Sequence, residues 1–431
     1  MNQLRRSTLL ALVFLISCVL FVGTFDKTKS GIRTIAKYPA TVCPSNLGDG
    51  ASTAVLPNSS VMIRSIPTKT SKLVKAGITN VAQGKRALFI DGNQSTSISV
   101  TRGTAGWLAT TSCVISDSDQ WFVGGSGSIT SRASLDIVNS GLSNSVVDLF
   151  VYTAKGAQPI NSQVVSPNSE KNILIDTLAP GEDSVVVHAV TRSGRVSIFY
   201  LDQRKKGLRS LGADFIFNGG DPAKHIVIPA ILNSGVGKKA AIQILRVLAP
   251  GSVAATLKAT IYSSDGSFAP IEIDGKSIMA GKVTDISFAP ILSDQAYSLV
   301  LDSDVPIVAG VQTVANSEFT WSNSVLPFTN VTMTFGGLTP ITVFHGKSIA
   351  VAISWTDVNG KSGTSYVTGE DFSIWSPKSG LKRATFVNNS KSYGGIIFKS
   401  NGGISALPVA PGASLESAAI PVADARVISR R

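Results

Sequence analysis

The sequence predicts an all-β chain, with tandem immunoglobulin-like β-sandwich repeats following one N-terminal transmembrane helix. Three observations lead there. Beyond the N-terminal segment, runs rich in Val, Ile, Thr and Phe, such as "SVVDLFVY", "DSVVVHAV" and "YSLVLD", are parted by Gly, Asn, Asp, Ser or Pro. Such short runs with turn residues between them read as strands, and no helical period is sustained. A stretch of sequence recurs 110 residues further on. An uncharged apolar run, Thr8 to Phe25, follows Arg5 and Arg6.

The elements follow in chain order. Residues 1–29 read as a cytoplasmic stub and signal-anchor helix. The run of 18 residues from Thr8 is long enough for a span of about 17–25 residues and too long for a signal-peptide core of about 7–15. The two arginines stay cytoplasmic and send the bulk of the chain outside the plasma membrane. "LISC" offers a second reading, a lipobox with an acylated Cys18, but the apolar "VLFVGTF" after it is unlike the polar start of a lipoprotein. Residues 30–125 form an N-terminal β-domain with the remaining cysteines, Cys43 and Cys113. An even pair in an oxidising compartment predicts a disulfide.

Residues 126–217, 218–325 and 326–412 are the three predicted sandwich repeats. "LDIVNSGLSNSVVDLFVYTAKG" from Leu135 aligns with "LRVLAPGSVAATLKATIYSSDG" from Leu245, placing Tyr152 on Tyr262 and Gly156 on Gly266. A weaker third copy is "VAISWTDVNG" from Val351. A unit of about 100 residues with about seven strands has the size of an immunoglobulin-like sandwich. Residues 413–431 read as a flexible tail.

Composition narrows the function classes. The formal charge is +12, yet only 15% of residues are charged, and several cations fall in the anchor region and the tail. "RKKGLR", Arg204 to Arg209, is the one dense basic run, so nucleic acid is not an expected partner. Its Lys205 and Lys206 are candidate contacts to an anionic ligand. "WFVGGSGS" from Trp121 lacks the spacing of a dinucleotide loop or a nucleophile turn, and the "GKS" strings at Gly275, Gly346 and Gly360 lack the first glycine of a P-loop. It reads as a flexible turn between domains, or else as a ligand-contacting loop. His188, His225 and His345 have no ligand spacing, and no metal or cofactor is expected. Acidic turns such as Asp302 and Asp304 read as backbone caps, not as paired catalytic carboxylates. Trp121 and Trp321 stand at corresponding domain junctions, where they pack neighbouring domains or offer flat rings to a sugar.

The joint pattern resembles an uncharacterised actinobacterial family of membrane-anchored, β-rich exported proteins, a domain of unknown function. The residues that carry it are the N-terminal anchor, Cys43-Pro44, Cys113 and "WFVGG" at Trp121. They continue with "LDIVNSG", "VYTAKG", "VIPAIL" at Val227, "SDVPIVAG" at Ser303 and "FTWS" at Phe319. The resemblance spans most of residues 40–410, and the third repeat departs from it most. It implies an envelope location, often beside cell-envelope glycosyltransferases, and carries over no catalytic residues. The expectation is a non-catalytic envelope protein binding a protein complex or an anionic wall polymer. A carbohydrate-active enzyme or sugar-binding module is the alternative.

Overall fold

The structure, a computed structural model, describes residues 39–412 apart from 78, 92–94, 104–105, 236–241, 316–317 and 401–402, together with the strands Thr34–Lys37 and Glu416–Ala419. The expected anchor run from Thr8 and Cys18 lie outside the described residues. Among the described residues no helix is long and apolar enough to cross a membrane. The chain divides into two units. In the smaller one, Thr34–Lys37 pairs antiparallel with Glu416–Ala419. That part of the predicted flexible tail is therefore a strand.

The larger unit, Tyr38–Ser414, is all-β. Its strands form where the sequence alternates: Ser145–Thr153 and Ala255–Ser263 bury nearly every second side chain. The N-terminal part holds two four-stranded sheets. One orders Thr41–Cys43, Leu88–Asp91, Val61–Ser65 and Lys72–Val74; the other orders Asn80–Gln83, Gly50–Val55, Ile98–Gly103 and Leu108–Ser112. Ala54, Val61, Ile63, Leu88 and Ile90 pack around a disulfide between Cys43 and Cys113, which lies just past the end of the second sheet. A cross-link spanning 70 residues removes loop entropy from the unfolded chain worth about 2–4 kcal/mol.

Two further sheet pairs share one strand order. In the first, Asp119–Val123, Val185–Ser193 and Ser145–Thr153 adjoin in that order, facing a sheet of Ser169–Leu174, Ser134–Asn139, Val196–Lys206 and Arg209–Ile216. In the second, Ala223–Leu232, the first half of Ala296–Ala315 and Ala255–Ser263 face Thr284–Phe288, Gln243–Leu248, the second half of Ala296–Ala315 and Glu318–Asn323. One 20-residue strand, Ala296–Ala315, thus does the work of two consecutive strands in the preceding pair. Pro306 stands where it changes sheets, after the Leu257–Ser303 pairing and before Leu248–Val308. Proline has no N–H to give to a ladder. In the first pair the last two strands, Val196–Lys206 and Arg209–Ile216, share one sheet, as the second half of Ala296–Ala315 and Glu318–Asn323 do in the second.

The last region is a six-stranded sheet built on Pro340–Asp357, whose bulge between Gly346 and Ile349 interrupts its pairing with Ser362–Trp375. Its core takes in Val55, Ile98, Val100 and Leu108 from the N-terminal sheets. Neighbouring regions share cores elsewhere too. Phe199, Leu201 and Phe215 join Val42 and Trp107, and Trp121 and Val123 join Leu248, Val283 and Val308.

Candidate functional site

Several polar groups at the centre of this body hold it together. The chain after Trp121 runs through Gly124 and Gly125 as a buried crossing. This is not the flexible turn that its Gly and Ser content predicts. The Gly125 carbonyl accepts a hydrogen bond from Arg246 Nη1 at 2.5 Å. Arg246 is 3% exposed and forks onto Asp285, with Nε and Nη2 each 2.8 Å from a carboxylate oxygen. Burial pushes the Asp285 carboxyl up, but the Arg246 bonds and charge outweigh it and hold the group below its ordinary value. The Arg246 guanidinium lies 5.1 Å from the Trp321 ring centre.

A second polar chain links all four regions. Thr110 N donates to Ser405 Oγ, Ser405 Oγ to Asp214 Oδ1 at 2.7 Å, and Thr320 Oγ1 to Asp214 Oδ2 at 2.6 Å. Glu318 accepts the backbone N–H groups of Leu108 and Ile404. Burial drives the Asp214 carboxyl well up and that of Glu318 to about 7, against the bonds that favour their charged forms.

Asp136, 1% exposed, is pushed to about 7 by burial and by the charge of Glu170. A carboxyl whose folded pKa is raised contributes stability below its unfolded value, here 3.8, and loses it as pH rises toward the folded one. Asp136→Asn is therefore expected to gain stability relative to the parent as pH is raised from about 5 to about 7.5, read as urea midpoints at each pH. A difference that stays flat with pH would show that Asp136 does not titrate in this window.

The residues singled out from sequence fall in unlike places. Trp321 is fully buried, with its indole N–H on Asp202 at 3.1 Å. Trp121 is 5% exposed and stacks on His188 with ring centres 3.8 Å apart. Both rings pack seams, so the sugar-platform reading fails for them: no ring face is open. Lys205 pairs with Asp49 at 2.6 Å, while Lys206 is exposed. Two of the three histidines converge where the sequence spacing gave no hint. His345 lies 4.6 Å from Tyr262 and 6.3 Å from Tyr393, and His225 lies 6.4 Å from the same Tyr393. Burial holds the His345 ring below its ordinary value, and His225 bonds Asp302 at 2.7 Å. Among the described residues no group of three or more His, Cys, Asp or Glu is placed to hold a metal.

One opening is a cleft of about 550 Å³ between the N-terminal sheets and the last sheet. Sequence reasoning missed it, because its walls come from residues 55–80 and 334–383. A direct stitch fixes the walls: Thr96 N donates to Thr332 O at 2.6 Å, and Thr334 N returns to Thr96 O at 3.1 Å. Thr334 Oγ1 also donates to Val55 O at 2.9 Å. Asn58, Thr79 and Asn80 face Thr356, Ser362, Lys382 and Arg383, and among the described residues no carboxylate lines the cleft. Lys382 and Arg383 are exposed. The surface offers amides, hydroxyls and two cations. It suits an anionic, hydroxyl-rich ligand.

Residues 67–366 match the model of a family of unknown function, DUF5719. The chain belongs to that family. No curated protein matches this DUF5719 member. Two solved structures show faint likeness. One is the Streptomyces avermitilis α-L-rhamnosidase complexed with L-rhamnose, at 7% identity and a TM-score of 0.13, over 84% of this chain and 56% of that one. The DUF5719 chain thus spans little more than half the rhamnosidase. The other is a tetra-tandem repeat from the extending region of a large adhesion protein, at 12% identity and a TM-score of 0.10, over 87% of this chain and 99% of that one. At such scores neither likeness carries an argument about this chain.

Proposed function

We propose that this DUF5719 protein is a non-catalytic component of the cell envelope that binds an anionic wall polymer. The polymer lies in the cleft between the N-terminal sheets and the last sheet. The supporting observation is the lining: Lys382 and Arg383 with Asn58, Asn80, Thr79 and Thr356, and no acidic side chain among them. A glycoside hydrolase needs two carboxyl groups flanking the bond it breaks. A binding groove for a polyanion needs cations and hydrogen-bonding groups that accept repeated units. The run from Thr8 to Phe25 anchors the chain in the plasma membrane, with the N-terminus cytoplasmic and the tandem two-layer units outside. The Cys43–Cys113 bridge supports an oxidising compartment.

The test is binding of the full chain, solubilised in detergent, to purified anionic wall polymer and to a neutral glycan of similar length. Lys382→Glu with Arg383→Glu is expected to weaken polymer binding by about tenfold or more at low salt, and the parent's affinity is expected to fall as salt rises. Equal binding of both glycans, an unaffected double variant, or turnover of either glycan would each overturn the proposal.

A further inference from the structure

A different part of the surface combines exposed aliphatic side chains with unpaired cations. The hairpin Val196–Lys206 to Arg209–Ile216 closes through Gly207 and Leu208, with Lys206 opposite Arg209. Gly207 has φ +61 and Leu208 is not among the positive-φ residues, the pattern of a two-residue turn with glycine first. That turn holds its second residue out of the sheet, and Leu208 is 106% exposed. The loop beside it ends in a tight turn, Ser131 N to Ser128 O at 2.9 Å, with Ile129 at its tip and 101% exposed. The two tips belong to one end of the sheet. Lys205 N donates to Thr130 O at 2.8 Å and Arg132 N to Gln203 O at 2.7 Å, so the antiparallel run sets Ile129 beside Lys206.

The cations here divide into two sets. Arg204 is bonded to Asp202 at 2.8 Å and Lys205 to Asp49 at 2.6 Å. Arg132, Lys206 and Arg209 are exposed and have no ion pair among the described residues. Turn tips in water ordinarily carry Gly, Asn, Asp or Ser. A branched aliphatic at each of two adjoining tips, with three free cations around them, matches a lipid interface. There apolar tips sink below the headgroups while Lys and Arg stay at the phosphate level.

We propose that this end of the molecule, Ile129 and Leu208 with Arg132, Lys206 and Arg209, docks on an anionic lipid surface. Surface charge draws the cations in, and the two aliphatics give the contact an apolar component that a soluble polyanion cannot supply. The inference does not rest on the cleft, and lipid binding and polymer binding are read separately.

The test mixes the full chain with nanodiscs of phosphatidylglycerol or of phosphatidylcholine and follows amide hydrogen exchange at residues 128–132 and 206–209. Exchange there is expected to slow by about fivefold or more on the anionic discs and to stay unchanged on the neutral ones. Ile129→Asp with Leu208→Asp, and separately Lys206→Glu with Arg209→Glu, are each expected to abolish the protection. All four positions are exposed, and unchanged exchange in the Cys43–Cys113 core confirms the fold of each variant. Four results would overturn the proposal: no protection on anionic discs, equal protection on both discs, protection that survives the double aspartate change, or equal protection from soluble heparin. Protection that grows with protein concentration without lipid would assign the patch to a second copy of the chain instead.

Discussion

Gly125→Val is expected to lower stability by about 3–5 kcal/mol, from left-handed backbone strain of about 1–3 kcal/mol and overpacking of about 1–3 kcal/mol or more. Gly125 sits at φ +82, and a Cβ built there would fall 1.9 Å from the Tyr200 Oη. Tyr200 is fully buried and packs edge-on against Phe122 with ring centres 6.0 Å apart, so it has nowhere to retreat. Any backbone shift that made room would also pull the Gly125 carbonyl away from Arg246. Gly77, at φ +100, supplies the control because nothing lies within 4 Å of its added Cβ. Gly77→Ala should cost about 1–3 kcal/mol from strain alone. Urea midpoints measure both, provided the slope of the transition is unchanged. A Gly125→Val midpoint no lower than that of Gly77→Ala would mean that the crossing is loose rather than packed.

This crossing also marks the limit of what the sequence could convey. Alternation along Ser145–Thr153 is a local property of the chain, so the strand and its counterpart Ala255–Ser263 were legible. The disulfide was legible as well, because the two cysteines outside the N-terminal apolar run leave one pairing. Burial of Gly125 was not. A Gly-Gly-Ser-Gly run looks the same whether it is loose or threaded between Tyr200 and Arg246, and those neighbours arrive from 75 and 121 residues further on. Trp321 was left between domain packing and a sugar platform for the same reason. Its ring is covered by groups such as Asp202 from another sheet and Arg246 from two strands away in its own, and nothing near "FTWS" reveals them. Asp214 and Glu318 are harder still, since a carboxylate in a sequence reads as surface until its hydrogen-bond donors are known. The cleft and the joining of His225 with His345 at Tyr393 depend on how the last sheet folds back on earlier ones. No period or spacing encodes that.

Arg246→Met is expected to cost about 3–5 kcal/mol, because it strips the partner from a buried ion pair instead of removing the pair. The parent guanidinium is bonded to Asp285 and to the carbonyls of Gly125, Val185 and Asp183. In the variant, the Gly125 and Asp183 carbonyls lose the Arg246 donor, Val185 O keeps the Gly124 N–H at 3.3 Å, and Asp285 keeps the Ser184 hydroxyl at 2.6 Å. Adding Asp285→Leu should recover much of the loss, since a well-packed apolar pair often replaces a buried ion pair at little cost. The pH dependence separates charge from packing. In the parent, Asp285 is held below 3.8, so its contribution is present at neutral pH and fades only as pH falls through that depressed value. Without Arg246 the largest remaining influence is burial, which raises the carboxyl. The sign then reverses, and the single variant should lose further stability as pH rises above about 4, whereas the double variant should not. If single and double variants trace parallel curves against pH, Arg246 acts through its contacts with Trp321 and the carbonyls, not through the charge it offers Asp285.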